Sequence, residues 1–291
     1  MAKQHLRRSE NIQGNFFVDS TCIDCDTCRW MAPEIFRKEG EQSIVYHQPT
    51  SHELELKTIR AMLSCPTFSI GSMEKTNKIK EAQVGFPICI DTNVFHCGYH
   101  SENSYGASSY FLQREKGNVL VDSPRFARPL VKRLEEMGGI KYMYLTHRDD
   151  VADHKKYQKH FNCKRLIHID DISYDTKDVE IKLSGNEAIQ IEKDLVVIPV
   201  PGHTKGHTVL LFRKYLFTGD HLAWSPSRGH LYAFRDACWY SWTEQTMSMY
   251  KLLEYDFEWV LPGHGRSYQA DIQTMHESLK NCLKWMESKL L

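Results

Sequence analysis

The sequence has no surplus of either charge: 37 Lys and Arg stand against 37 Asp and Glu over 291 residues. A chain that works on phosphate backbones carries a basic excess, so nucleic acid is excluded as the main partner. Long apolar runs are missing too. The longest, such as residues 195–201, are strand-sized and far short of the roughly 20 residues of a helical membrane span, so no membrane partner is expected. The opening residues, MAKQHLRRSENIQ, have basic side chains but no apolar stretch behind them. They do not read as a secretory signal, and the protein is expected in the cytoplasm. No repeat of fixed period is visible, which excludes a solenoid. With 41% hydrophobic and 25% charged residues, the composition is that of a folded protein of about two domains.

Cysteine and histidine are what the chain does have, nine of one and 15 of the other. Nine is an odd number, and four of the nine fall in two tight contexts, unlike a disulfide framework. In a reducing cytosol, clustered cysteines more often bind metal than pair with each other. Residues 1–75 hold that cluster and one helix signal: Thr50 stands three before Glu53 as a capping box, with Ile59, Met62 and Leu63 on one face. Residues 76–84 are polar and aperiodic, as suits a linker. From residue 85 the chain alternates short β-rich runs with helical stretches. Residues 109–113 and 119–122 flank a Lys116-Gly117-Asn118 turn as a hairpin. The stripe Leu130, Leu134, Met137 stops at Gly138-Gly139. Further strands are expected at 141–145, 164–169, 195–200, 209–212, 215–218 and 259–261. The stripe Met275, Leu279, Leu283, Met286, Leu290 predicts a closing amphipathic helix.

The cysteine string is Cys22-Ile-Asp-Cys25-Asp-Thr-Cys28, followed much later by Cys65-Pro66. Three thiolates at i, i+3 and i+6 can wrap one corner of a cubane, with the fourth ligand from elsewhere. Zinc sites normally use paired CxxC units, so a zinc knuckle or four buried free cysteines is the weaker reading. The string resembles the bacterial-type ferredoxins. Their fourth local cysteine, before a proline, is here Ala32 before Pro33. The pattern is that of the single-cluster members, over about residues 14–73. The resemblance implies that Cys22, Cys25, Cys28 and Cys65 hold one 4Fe–4S cluster. The other cysteines (Cys89, Cys97, Cys163, Cys238, Cys282) have no ligand spacing and read as core residues. Residues 1–75 carry nine Lys/Arg and ten Asp/Glu, a balance of −1. A near-neutral carrier suits a covalently tethered partner, which needs no long-range steering.

The second half carries His/Asp clusters that each follow an apolar strand. They are His147-Arg-Asp149-Asp150-Val-Ala-Asp153-His154, then His203-Thr-Lys-Gly-His207, then Asp220-His221, then Pro-Gly-His264-Gly; Asp122 ends an earlier strand. Side chains projected from strand ends at one sheet edge converge, and a set this rich can hold two divalent ions. In this order the strings resemble the metallo-β-lactamase superfamily, over roughly residues 85–291. The fold class implied for the whole chain is α+β: a ferredoxin-like iron–sulfur domain (1–75), a linker (76–84) and an αββα sandwich (85–291). By that resemblance His147 and His203 belong to a first metal, Asp153, His154 and His264 to a second, and Asp220 bridges. Asp122 and His207 would orient ligands.

One departure matters. The family string His-x-His-x-Asp-His is here two residues longer, and an acidic pair replaces its second histidine. Either Asp149 takes that place, as Glu does in the similar flavodiiron proteins, or the first site has lost a ligand. The latter leaves His147, His203 and Asp220, a 2-His-1-carboxylate set that resembles the persulfide dioxygenases. Both favour iron without excluding zinc. His96, Cys97 and His100 are candidates for lining the pocket. His160, His168, His230 and His276 read as surface or satisfied core residues, His221 as pointing away from the metals, and Trp239-Tyr240-Ser-Trp242 as core or lid.

Three functions follow as expectations. The first is a redox enzyme in which the cluster feeds two iron ions acting on O₂ or a small-molecule substrate, with Asp153 and Asp220 as catalytic residues. It needs an electron donor to the cluster, and transfer within one chain or across a homodimer. The second is a dinuclear zinc hydrolase with a structural or sensory cluster. The third is a degenerate pocket serving as an interaction platform.

Overall fold

The computed structural model describes residues 2–290. Compactness divides the chain into two units: residues 1–141 with 155–161, and residues 142–154 with 162–291.

In the first unit, β1 (Phe16–Val18), α1 (Thr27–Met31), β2 (Phe36–Glu39), β3 (Gln42–Val45), α2 (His52–Ser64) and β4 (Ile70–Ser72) come first. β1 pairs antiparallel with β4, joining the two ends of this segment, and β2 with β3. The core between them holds Phe16, Val18, Ile35, Phe36, Val45 and Ile59 together with Cys28 and Cys65. Each such apolar side chain contributes roughly 1.5–3 kcal/mol on burial. The cap of α2 is Ser51, whose hydroxyl accepts from the Leu54 N–H at 3.2 Å. The expected cap, Thr50, lies one residue too early. The stretch expected to be a linker contains a helix, α3 (Ile79–Val84), because Ala82 and Ile79 join the same core. Its exposed positions are Lys80, Glu81 and Val84, and an apolar residue on the outer side blurs the apolar face in the sequence.

The same unit continues through β5 (Ile88–Asp91), β6 (Val94–His96), β7 (Tyr110–Leu112) and β8 (Val119–Val121), paired antiparallel in chain order. The expected hairpin is β7–β8, with Tyr110 opposite Val121. Helix α4 (Arg128–Glu136) then stops as Gly138 and Gly139 turn left-handed, and the Gly139 N–H bonds the Leu134 carbonyl at 2.8 Å.

The second unit opens with β9 (Tyr142–Tyr144) and runs to His154, the first residue of α5 (His154–Phe161), whose remaining residues belong to the first unit; β10 (Lys164–His168) and β11 (Ile181–Leu183) follow in the second. β9, β10 and β11 pair in parallel. A six-stranded sheet follows in the order β12 (Ile189–Glu192), β13 (Leu195–Pro199), β14 (Thr208–Phe212), β15 (Tyr215–Gly219), β18 (Trp259–Pro262) and β19 (Tyr268–Gln269). β16 (Ala223–Ser225) and β17 (His230–Tyr232) form a separate ribbon. Helices α6 (Trp242–Lys251) and α7 (Ile272–Glu287) pack with the sheet. The predicted stripe of α7 is buried at Met275, Leu279, Leu283 and Met286, whereas Leu290 lies past the helix and is exposed. Among the described residues no helix is long and apolar enough to cross a membrane.

Candidate metal centres

The cysteine site forms on a loop that turns left-handed twice, at Asp24 (φ 60°) and Asp26 (φ 65°). These alternating turns let Cys22, Cys25 and Cys28 face one cavity, which Cys65 closes from the end of α2. Arg29 fixes the turns: its Nη1 reaches Asp24 and its Nε reaches Asp26, each at 2.5 Å. Donors converge on the sulfurs. The Ser43 N–H lies 3.5 Å from Cys22 Sγ, the Ser69 N–H 3.3 Å from Cys65 Sγ, and Thr27 Oγ1 3.4 Å from Cys25 Sγ. Burial pushes the Cys25 thiol up to about 11 and raises Cys28 and Cys65 as well. Four thiols in one cavity with hydrogen-bond donors aimed at sulfur fit an anionic, thiolate-bound cluster. Of the other cysteines, Cys97, Cys163 and Cys282 are buried as expected; Cys238 is half-buried, and Cys89 is exposed rather than core.

Part of the first unit beyond residue 85 closes over this site. The Arg125 guanidinium donates to the Leu63 carbonyl at 2.8 Å and the Cys65 carbonyl at 3.4 Å. The Tyr105 hydroxyl donates to the Ile23 carbonyl at 2.6 Å. His100, expected as a lining of the histidine pocket, is bonded here instead, with Nδ1 3.1 Å from Thr27 Oγ1.

The histidine–aspartate site lies in the second unit, at strand ends. Two groups have ligand atoms within 4.8 Å of one another: His147, His203 and Asp220, and Asp150, Asp220 and His264. Asp220 is common to both. Asp149 adjoins the first, its Oδ2 3.4 Å from His203 Nε2 and 3.9 Å from His147 Nε2. The approach of His203 holds its carboxyl below the usual range. Burial pushes His147 down to about 4, so its imidazole is neutral at pH 7. His147 Nδ1 is engaged by Thr146 Oγ1 at 2.9 Å, leaving Nε2 for a ligand. That Nε2, His203 Nε2 and Asp220 Oδ1 are buried and accept or donate no hydrogen bond. A β-carbon at Gly263 would stand 2.9 Å from both Asp150 and Asp220 oxygens, so glycine is required for the close approach. Buried lone pairs with no protein partner are what a bound cation satisfies, and the residues fit one or two divalent ions.

Asp153 and His154, expected as ligands, stand outside both groups. His154 Nδ1 lies 3.1 Å from Nη1 of buried Arg165, which is also clamped by Glu180. A guanidinium only donates, so Nδ1 accepts and neutral His154 carries its proton on Nε2. Asp150 occupies the second group instead. Sequence reasoning named it only as part of an acidic pair. It missed Asp171 altogether: this fully buried carboxylate accepts from Arg148 N, Gly206 N and Thr204 Oγ1, tying two ligand loops together. The strand-end string Asp170-Asp171 after β10 was its signal. His207 behaves as an orienting residue, its Nε2 accepting from the Asp220 N–H at 3.2 Å. Asp122 belongs to the first unit and is buried there. Trp239 and Tyr240 are exposed rather than core.

Residues 18–72 match the family model described as the 4Fe-4S single cluster domain of Ferredoxin I. No curated protein matches the chain. Among solved structures the chain is similar to VMB-1, at 19% identity and a TM-score of 0.55 over 70% of this chain and 96% of that one. It is also similar to the metallo-β-lactamase FIM-1 from Pseudomonas aeruginosa in its mono-zinc form, at 16% identity and 0.53, over 68% and 93%. A metallo-β-lactamase from Pontibacter korlensis gives 16% and 0.51, over 68% and 97%. The thiol cavity and the strand-end carboxylates and imidazoles thus sit in the two contexts these matches name: the chain fuses a single-cluster 4Fe–4S ferredoxin-type domain to a metallo-β-lactamase fold.

Proposed function

We propose that this protein is a metal-dependent redox enzyme whose 4Fe–4S domain supplies electrons to a non-haem iron centre in the histidine–aspartate pocket. The observation that carries the reading is the triple His147, His203 and Asp220, two imidazoles and one carboxylate gathered within 4.8 Å. That donor set suits non-haem iron. The second group, sharing Asp220, makes room for a second ion and adds the Asp150 carboxylate to the site. Iron held there supplies one-electron chemistry toward O₂ or another small oxidant. The chain's own residues orient and exclude: Thr146 fixes the His147 ring, His207 fixes the Asp220 backbone, and Asp171 holds the two loops. Asp149, half open to solvent, keeps its negative charge beside His203 and His147.

A dinuclear zinc hydrolase is the second reading. The shared carboxylate suits two zinc ions as well, and the similar FIM-1 structure is described in a mono-zinc form. Two measurements on anaerobically purified protein separate the readings: metal content beyond the cluster, and a stopped-flow record of cluster reoxidation by O₂. Iron in the pocket and reoxidation that slows in Asp220→Ala support the redox enzyme. Stoichiometric zinc with equal reoxidation rates leaves the hydrolase.

A further inference from the structure

The end of β6 and the loop that follows it bring two buried histidines to the cysteine site. His96 Nε2 lies 2.9 Å from His100 Nε2, and both rings are almost wholly buried. His100 Nδ1 lies 2.5 Å from the Gly106 carbonyl and 3.1 Å from Thr27 Oγ1. Thr27 Oγ1 in turn lies 3.4 Å from Cys25 Sγ. Gly106 packs directly on that ligand: a β-carbon there would meet Cys25 Cβ at 2.8 Å and Sγ at 3.0 Å.

The proton positions follow from what each partner can do. A carbonyl only accepts, so His100 carries its proton on Nδ1 and presents a lone pair at Nε2. Of the two facing Nε2 atoms, the donor must then be His96. His96 Nδ1 consequently bears a lone pair, and it is buried without a hydrogen-bond partner, so no proton is misplaced there. Trp30 packs edge-on against the His96 ring at 4.8 Å and holds it in place. Burial keeps His96 well below its ordinary range, in the neutral form this requires. The single Nδ1 proton of His100 is shared between the Gly106 carbonyl and Thr27 Oγ1, and the Thr27 hydroxyl has two acceptors for its own proton, Cys25 Sγ at 3.4 Å and the Gly106 carbonyl at 3.5 Å. The Gly106 carbonyl already takes the His100 proton at 2.5 Å, so the Thr27 proton goes to the nearer sulfur, and the chain from His96 through His100 and Thr27 leads to Cys25 Sγ.

We propose that this oriented chain of hydrogen bonds, His96 to His100 to Thr27 to Cys25, sets the reduction potential of the cluster. A donor aimed at a ligand sulfur stabilises the more negative, reduced cluster and raises its potential. Hydrogen bonds in series polarise one another in a site of low dielectric, so the far member, His96, contributes although it touches no ligand. All three are positioning residues. The inference rests on the 4Fe–4S assignment and not on the redox reading of the histidine–aspartate pocket, and it holds equally if that pocket is a hydrolase.

The test is the midpoint potential of the full-length protein, titrated anaerobically and followed by the paramagnetic signal of the reduced cluster. Iron and sulfide are counted in every sample, so that only loaded proteins are compared. Thr27→Val keeps the shape and removes the hydroxyl; about a tenfold weaker reduction equilibrium is expected, a downward shift of about 59 mV for one electron. Thr27→Ser should restore it, which a purely structural role would not require. His96→Phe keeps a buried ring and removes the donor, with a shift in the same direction of roughly threefold in that equilibrium. It lies far enough from the ligands for loading to survive even if Thr27→Val takes up no cluster. A loaded His96→Phe protein with wild-type potential overturns the proposal, and so does a loaded Thr27→Val protein with wild-type potential.

Discussion

The cysteine site takes three of its four thiols from one seven-residue string, whereas the histidine–aspartate site gathers its groups from strand ends between residues 147 and 264. Burial acts on them in opposite directions. It pushes the Cys25 thiol up to about 11, away from the thiolate that binds iron, and pushes His147 down to about 4, toward the neutral imidazole that binds a cation. The first site must therefore lose protons as it fills, with the sulfur-directed donors and the cluster's own iron offsetting the cost. The second stands ready, with buried lone pairs already aimed inward. A loop can wrap a large polyatomic cluster around itself. Single ions can be held by rigid strand ends.

The sharpest way to break this comparison is Asp220→Ala. Asp220 is the one residue shared by both groups, so the pocket should lose both ions. Cluster reoxidation should slow by more than about 100-fold, beyond what losing an outer partner costs, while the cluster's visible absorption stays. Metal analysis and stopped-flow absorption check it, and retention of one full ion would show that the groups do not depend on a shared carboxylate. Cys65→Ser is the mirror experiment. Cluster iron and sulfide should vanish while the pocket's metal content is unchanged, as read by elemental analysis of full-length protein.

A smaller effect is expected where the first unit covers its own cysteine site. Arg125→Ala removes the guanidinium that caps the Leu63 and Cys65 carbonyls and stacks 4.1 Å over the Phe68 ring. Losing charged hydrogen bonds of this kind costs about 2 kcal/mol. The loaded protein should melt several degrees lower and release iron to a chelator about tenfold faster, a ratio corresponding to roughly 1.4 kcal/mol. An unchanged release rate would mean that residues 1–75 hold the cluster unaided.

What was legible in the sequence follows from the same contrast. That Cys22, Cys25 and Cys28 line one cavity was legible because their local spacing is itself the geometry, whereas Cys65, which lines the same cavity, was reached only through the ferredoxin resemblance. The strands β9, β10, β13, β14, β15 and β18 were legible as apolar runs, and their end residues His147, His203, Asp220 and His264 with them. The α3 helix was not, since its single apolar edge, Ile79 and Ala82, is too sparse for periodicity to show. The choice among Asp149, Asp150, Asp153 and His154 was not legible either. It depends on the turn after β9, where Ala152 takes φ 26°, a value no residue type at that position announces. A tertiary partner decides it too: Arg165, itself clamped by Glu180, reaches His154 from β10.

The last prediction isolates that choice, with the smallest expected effect. By resemblance His154 is a ligand of the second metal; by geometry Asp150 holds that place with Asp220 and His264. The two disagree because Arg165 can only donate to His154 Nδ1, which leaves the proton on the nitrogen a metal would need. His154→Gln should therefore keep the pocket's metal content. Its side-chain oxygen can still accept from Arg165, which matters because a buried guanidinium stripped of partners is costly. Asp150→Asn should instead lower the content by one ion per chain, since an amide is a far weaker ligand than a carboxylate. Elemental analysis of the two variants beside wild type checks both at once. Loss of an ion in His154→Gln with none lost in Asp150→Asn would return the site to the family's ligand pattern, and Arg165 would then have to move aside when the metal binds.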